Sequence, residues 1–176
     1  GITLDLQTER GRELALQLVA TSDLVFENYR ADVIGKLRLD YDDLRAAKPD
    51  IILVSMPSHG KSGPESHHVA YGTNVEQLSG LASITGGPEG PSRVGVSIVD
   101  VATGATAHAS ILEALIARGR TGKGADIRIS MFDVMADWLT VPLLNAEAGN
   151  PPQRMGLAHP SLAPYGVFRS TAGTAI

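Results

Sequence analysis

The run Ile51-Ile52-Leu53-Val54-Ser55 constrains the fold more than any other stretch of the chain. Its aliphatic side chains are consecutive and mostly β-branched, so a strand built from them has no polar face and must be covered on both sides. Such a strand belongs in the interior of a parallel sheet. The neighbouring sequence supplies covering layers. Thr8 stands at the N-cap of a helix that carries Glu9 in its first turn and runs to about Ala20. Leu24-Val25-Phe26-Glu27 forms a short buried strand, Val33 to Leu37 a helical stretch, and Tyr41 to Arg45 a helical turn stopped near Pro49. After the apolar run, Pro57 to Pro64 is a loop at a strand end, Asn74 to Leu81 suits a helix, and Gly86 to Pro91 is rich in turn residues. Val96-Ser97-Ile98-Val99 is a β-rich run that stops on Asp100, followed by a long helix from about Ala102 to Ala117. Arg118 to Gly124 ends that helix with basic residues and glycines. Ala125 to Met131 alternates as a strand with one wetter face, and Phe132 to Leu144 is helical, with Pro142 ending or kinking it. From Asn150 on, Pro151, Pro152, Pro160 and Pro164 mark a linker. Strands alternating with helices predict an α/β fold with an open parallel sheet and flanking helices. In such sheets ligands bind beyond the carboxyl ends of the strands, where Asn28, Ser58 to Gly63 and Asp100 fall.

Composition narrows the function classes. Of 176 residues, 43% are hydrophobic and 19% charged, which is ordinary for a globular domain with a real core. A formal net charge of −4 gives no basic footprint for nucleic acid. The absence of cysteine excludes disulfides and thiolate metal sites and fits a reducing, cytoplasmic compartment. No apolar run approaches the roughly 20 residues of a membrane span, so no membrane partner is expected. The chain opens on Gly1 without an initiator Met, and Thr174-Ala175-Ile176 resembles the start of another strand. A piece of a longer polypeptide is therefore expected.

The residues offer few candidates for chemistry. Asp100 has two readings. As an N-cap it would accept backbone N–H groups at the following helix. As a carboxylate held ionised by a helix N-terminus it would be a nucleophile for acyl transfer, with backbone N–H groups nearby to stabilise an oxyanion. The two roles are compatible. Ala102, Gly104, Ala105, Ala107 and Ala109 permit either close helix packing or close approach of a bulky thioester arm. His59, His67 and His68 are expected to be solvated loop residues, because only Glu65 stands near them as a carboxylate, too few ligands for a metal. Gly60-Lys61-Ser62-Gly63 lacks the spacing of a phosphate loop, and Gly86 to Gly90 fails the glycine fingerprints as well. Arg118, Arg120 and Lys123 read as partners of a helix C-terminus.

A succession of longer motifs is more specific. "LDLQTERGRE", "VFENYRADVIGKLRLDYDDLRAAKPDIILVS", "GKSGPE", "AYGTNVEQLSGLASITGG", "VSIVDVATG", "ALIARGRTGKGADIRISMFD" and "HPSLAPYGVF" resemble the family III CoA-transferases, the CaiB/BaiF type that includes formyl-CoA and carnitine CoA-transferases. Their order and spacing match over nearly all of the chain. The resemblance implies a Rossmann-like large domain, of which residues 1–144 are the central part and 145–176 a linker toward a small C-terminal domain. The family's first strand, that small domain and a glycine-rich loop seen in some members lie outside this sequence. An interlocked homodimer is implied for the full-length protein.

The resemblance also implies an activity: exchange of coenzyme A between an acyl-CoA and a free carboxylic acid, with CoA thioesters as substrates and no permanently bound cofactor or metal. Asp100 matches the aspartate that attacks the thioester carbonyl, passing through an aspartyl-acyl anhydride and an aspartyl-CoA thioester. Leu4, Asp5, Leu6 and Gln7 match a stretch along the nucleotide arm of CoA, with Gln7 in place of the usual Lys. Asn28, Tyr29 and Arg30 match a second CoA-contacting stretch, and Lys36 stands where a basic residue meets the phosphates. Val69, Ala70, Tyr71 and Gly72 match the segment lining the pantetheine arm. Gly72 replaces an acid found in many members, which points away from formyl- or oxalate-type specificity. Two alternatives stay open: an acyl-CoA racemase on the same fold, although that branch carries His at the position of Tyr71, and a non-catalytic CoA-binding relative.

Overall fold

The computed structural model describes residues 1–173 and Ala175. Its centre is a parallel three-stranded sheet in the order β1 (Leu24–Glu27), β2 (Ile52–Ser55), β3 (Ala125–Arg128). Leu24 pairs with Ile52 and Ile52 with Ala125; at the other end Glu27 pairs with Ser55 and Ser55 with Arg128. All three strands therefore finish at one edge. Every residue of β2 is buried, as its unbroken apolar sequence requires. Alternation along the strand divides its side chains between two layers. Ile52 and Val54 enter a cluster with Val75, Val99, Ala102, Ala107 and Met135, whereas Ile51 and Leu53 pack with Val19, Ile34, Leu39 and Leu44. Burying each of these aliphatic side chains is worth about 1.5–3 kcal/mol.

The second layer comes from α1 (Glu9–Ala20), α2 (Val33–Lys36) and α3 (Tyr41–Ala47). Thr8 caps α1 as expected, its hydroxyl accepting the Gly11 N–H at 3.0 Å. The first layer comes from α4 (Gly72–Leu78), α5 (Leu81–Ile84), α6 (Ile98–Thr121) and α7 (Met131–Trp138), and α8 (Thr140–Glu147) packs on α7.

Several local expectations are corrected. The β-rich run before Asp100 is not a strand: α6 begins at Ile98 with Ser97 at its N-cap position. Val99, Ala102, Thr103 and Ala107 are buried in helical spacing, so the apolar stripe already follows the 3.6-residue period where β-branched residues suggested an extended chain. The helix expected from Asn74 begins at Gly72 and ends at Leu78. The helix expected over Phe132 to Leu144 is two helices that meet at Leu139. Pro142 neither ends nor kinks one: it is the third residue of α8, where no intrahelical N–H bond is lost. Ala125 to Met131 leaves the sheet at Arg128, and Ser130 caps α7 by accepting the Asp133 N–H at 3.2 Å.

Residues 151–173 contain no helix or strand; Arg169 forms an isolated antiparallel bridge with Ala175. Arg154 Nη1 donates to the Ser83 carbonyl at 3.0 Å and Gly156 N–H to that of Gly86 at 2.8 Å, which ties this segment to α5 and the loop after it. A strand beginning at Thr174 to Ile176 falls partly on Thr174 and Ile176, outside the described residues. Among the described residues no helix is long and apolar enough to cross a membrane.

Candidate active site

Asp100 lies in the first turn of α6 and is exposed. It is not an N-cap, because Ser97 holds that position. Among the described residues its carboxylate has no side-chain hydrogen bond or ion pair, so its lone pairs are unspent. It does have a tight steric neighbour. A Cβ built on Gly72 would come within 2.5 Å of Oδ2 and 2.8 Å of Oδ1. The first turn of α6 and the start of α4 thus meet at the carboxylate, and a Cβ at Gly72 would displace that carboxylate from its present position.

This contact forms one wall of a cavity of about 400 Å³ at the carboxyl ends of all three strands. Asn28, Tyr29 and Arg30 enter it from the loop after β1, Met56 and Ser58 from the end of β2, and Met131 from the segment after β3. His68 to Thr73 complete the lining beside Ser97 and Asp100. The packing therefore brings Asn28, Tyr29, Arg30, Val69, Ala70, Tyr71, Gly72 and Asp100 together around one opening. Tyr71 and Val69 are strongly exposed, at 79% and 73%, so large apolar surface borders the carboxylate. The small residues of α6 contribute nothing here. Ala102 and Ala107 pack in the core, and neither they nor Gly104, Ala105 and Ala109 line the cavity.

Leu6, Gln7 and Lys36 lie elsewhere, on a second cavity of about 710 Å³ that they share with Thr8, Glu9, Arg12, Leu37 and Arg38. Leu4 and Asp5 do not line it. Asp5 builds the turn before α1 instead: its carbonyl accepts the Thr8 N–H at 3.1 Å, and its carboxylate accepts that of Gln7 at 3.1 Å. Composition alone did not single out Arg12 and Arg38. Arg38 carries a left-handed backbone, with φ of 54°, which is uncommon for a side-chain-bearing residue. The available signal was its place two residues after Lys36; Arg12 gave none beyond its charge.

Asp32 organises the cations between the two cavities. It binds Arg30 in a fork, Nε at 2.6 Å and Nη2 at 3.1 Å, and also pairs with the Lys36 ammonium. The hydrogen bonds from Arg30 and then Lys36 hold the Asp32 carboxyl well below the usual carboxylate range, and Asp32 in turn raises Arg30. Lys36 is thus not an isolated point charge; two cations share one carboxylate, leaving net positive charge on this loop.

The histidines differ from expectation in part. His67 and His68 are exposed, but the His59 ring is half-buried, stacked on Phe132 at 6.1 Å and edge-on to His68 at 5.8 Å. Ser58 donates to the His68 carbonyl at 3.2 Å and shares a 3.1 Å hydrogen bond with His59 Nδ1. Among the described residues no group of three or more His, Cys, Asp or Glu side chains is arranged to hold a metal ion.

Known proteins share this sequence pattern and this fold. The sequence model described as CoA-transferase family III matches residues 1–176. The chain is 38% identical to the succinate–glutarate CoA-transferase of Agrobacterium fabrum over 174 residues, which is 98% of this chain and 44% of that protein. It is 40% identical to the acetyl-CoA:oxalate CoA-transferase of Acetobacter aceti over 172 residues, 96% of this chain and 44% of that one. The crystal structure of a CaiB/BaiF family protein from Brucella suis superimposes with a TM-score of 0.88 at 39% identity, covering 98% of this chain and 46% of that structure. The chain spans less than half the length of these relatives. A match along the whole sequence, with the same fold at this identity, shows that the chain belongs to CoA-transferase family III.

Proposed function

We propose that this chain carries the nucleophile and much of the CoA-binding surface of an enzyme that moves coenzyme A from an acyl-CoA to a free carboxylic acid. One observation carries the reading: the unpaired, exposed Asp100 carboxylate lies on a cavity at the ends of three parallel strands. An ionised carboxylate with free lone pairs is a competent nucleophile toward a thioester carbonyl. Its attack forms the Asp100–acyl anhydride and releases CoA thiolate. The thiolate then attacks the Asp100 carbonyl carbon, releasing the donor acid and leaving an aspartyl-CoA thioester. The acceptor carboxylate attacks that thioester, which regenerates an anhydride and the thiolate. Attack of the thiolate on the acceptor's acyl carbon yields the new acyl-CoA and frees Asp100. Each step exchanges one activated acyl bond for another, so no external energy source is consumed.

Binding is assigned to the two cavities. Asn28, Tyr29, Arg30, Val69, Ala70, Tyr71 and Gly72 border the acyl and pantetheine end. Leu6, Gln7 and Lys36, joined by Arg12 and Arg38, take the phosphorylated nucleotide, and Asp5 shapes the turn that presents Gln7. Chain reach supports a single bridging ligand: Arg30 and Lys36 are separated by at most about 20 Å of backbone, a distance an extended CoA spans. The acid class is proposed to be a dicarboxylate of the size named for the Agrobacterium relative, succinate or glutarate, rather than oxalate. The polar groups of Asn28, Arg30, Ser58 and His68 around the cavity suit a second carboxylate. The complete protein is proposed to act as a homodimer. Exposed Trp138, Val141, Leu143 and Leu144 on α7 and α8 supply apolar surface for further packing.

The test is chemical trapping on the complete polypeptide. Incubation with acyl-CoA followed by hydroxylamine should give a hydroxamate at Asp100, located by peptide mass spectrometry, and Asp100→Asn should give none. Full exchange activity in Asp100→Asn would refute the assignment.

A further inference from the structure

Lys61 lies in a glycine-containing loop that lacks the phosphate-loop spacing, yet its side chain is turned inward. It is 14% exposed, and its Nζ donates to Ser55 Oγ at 3.2 Å, at the buried end of β2. The same Nζ lies 3.9 Å from Oε1 of Glu27, the last residue of β1, whose side chain is 5% exposed. At that distance the contact is Coulombic rather than a hydrogen bond. The other oxygen, Glu27 Oε2, accepts the backbone N–H of Tyr29 at 2.8 Å. One buried carboxylate therefore joins the loop cation to the backbone of the Asn28–Arg30 segment, which lines the Asp100 cavity.

Two features argue against a role in stability alone. A buried ion pair is seldom more stabilising than apolar residues of similar volume, so the fold does not need charge here. A charge-assisted acceptor is nonetheless what fixes a backbone N–H most firmly, and the one that Glu27 fixes lies where the chain leaves the sheet for the cavity. Lys61 holds that acceptor in place from the opposite side.

We propose that the Glu27–Lys61 pair, seated on Ser55, is a positioning device that sets the Asn28–Arg30 backbone against the CoA-binding cavity. Neither residue touches the reacting atoms. The inference rests on the cavity being the acyl-CoA site.

The experiment compares Lys61→Met, Glu27→Gln and the double variant in the complete polypeptide, by steady-state kinetics and by hydrogen exchange at the Tyr29 amide. Lys61→Met leaves a buried carboxylate without its cation, and Glu27→Gln leaves a buried cation without its carboxylate. Each single variant should raise KM for acyl-CoA about five- to tenfold with kcat within about twofold, the pattern of lost binding rather than lost chemistry. Tyr29 exchange should accelerate in Lys61→Met. The double variant keeps an amide oxygen for the Tyr29 N–H and buries no charge, so both readouts should return to within about twofold of the parent, a coupling that independent sites do not show. Lys61→Arg, which retains the charge, should keep KM near the parent value and covers the case in which Lys61→Met does not fold. The inference is overturned if the single variants lose active enzyme at unchanged KM, if their effects multiply, or if Tyr29 exchange does not change. Altered exchange in a protein that neither binds nor processes acyl-CoA would sink the functional reading and leave the positioning contact intact.

Discussion

The carboxylate of Asp100 rests against the α-carbon of Gly72, so closely that a Cβ at that position would lie 2.5 Å from Oδ2. Gly72 is buried at the first position of α4, and Asp100 is exposed in the first turn of α6. A side chain at this point therefore cannot be accommodated without moving the Asp100 carboxylate.

Gly72→Ala should therefore push the carboxylate out of its present position. The expected result is a fall in kcat of roughly 10–100-fold, the size of effect that an ångström-scale misplacement produces. Thermal stability should change little, because alanine is a good residue near a helix start. Single-turnover hydroxamate formation, measured beside a melting curve, checks both parts. An alanine variant that traps acyl groups at the parent rate would show that the contact does not position the Asp100 carboxylate for the proposed chemistry.

Arg12 and Arg38 share the larger cavity with Gln7 and Lys36 and, among the described residues, carry no side-chain ion pair. Arg12→Ala and Arg38→Gly should each raise KM for acyl-CoA about three- to tenfold, as loss of a charge-assisted phosphate contact would. Turnover of an acyl-pantetheine, which lacks the nucleotide, should be unaffected. Stability of Arg38→Gly should stay within about 1 kcal/mol of the parent, because relief of the left-handed backbone offsets the added freedom of the unfolded chain.

Arg118 tests whether fold and site can be separated. Its guanidinium donates to the Asp23 carbonyl at 3.1 Å and to the Asp23 carboxylate at 2.8 Å, and lies 3.9 Å from Asp50. These acids precede β1 and β2, at the edge of the sheet opposite the cavity. Arg118→Met should cost about 1–2 kcal/mol of unfolding free energy, the scale of hydrogen bonds to a half-buried charge, and leave KM for acyl-CoA unchanged. Denaturant titration and steady-state kinetics on the same preparation give the comparison.

Asp32 predicts a pH dependence. Its folded carboxyl is held below the ordinary range, first by Arg30 and then by Lys36. A depressed folded value means that the native state favours the ionised form, so the contribution is complete above the unfolded carboxylate value of about 3.9 and is lost as pH falls below it. Asp32→Asn should be less stable than the parent at neutral pH, with the difference constant down to about pH 5 and shrinking at more acid pH. Urea unfolding between neutral pH and about pH 3 measures this; a gap that widens on acidification would contradict the assignment.

What the sequence determined by itself is what short-range geometry encodes. The unbroken apolar run at Ile51 to Ser55 required a strand covered on both faces, and Thr8 and the apolar spacing behind it required α1, because side-chain periodicity and capping act over one or two turns. The succession of motifs placed Asp100, Tyr29 and Tyr71 in one family pattern. The structure decided what depends on distant segments meeting. Packing of Val99 and Ala102 against β2 drew Ile98 and Val99 into α6 despite their β-branching, because burial on a helical stripe outweighs a few tenths of a kcal/mol of propensity. The same packing set Asp100 on Gly72, gathered Arg12 and Arg38 beside Gln7 and Lys36, and turned Lys61 from an apparent surface loop toward Glu27. A local pattern holds no information on such meetings, since each depends on how two layers close over a third.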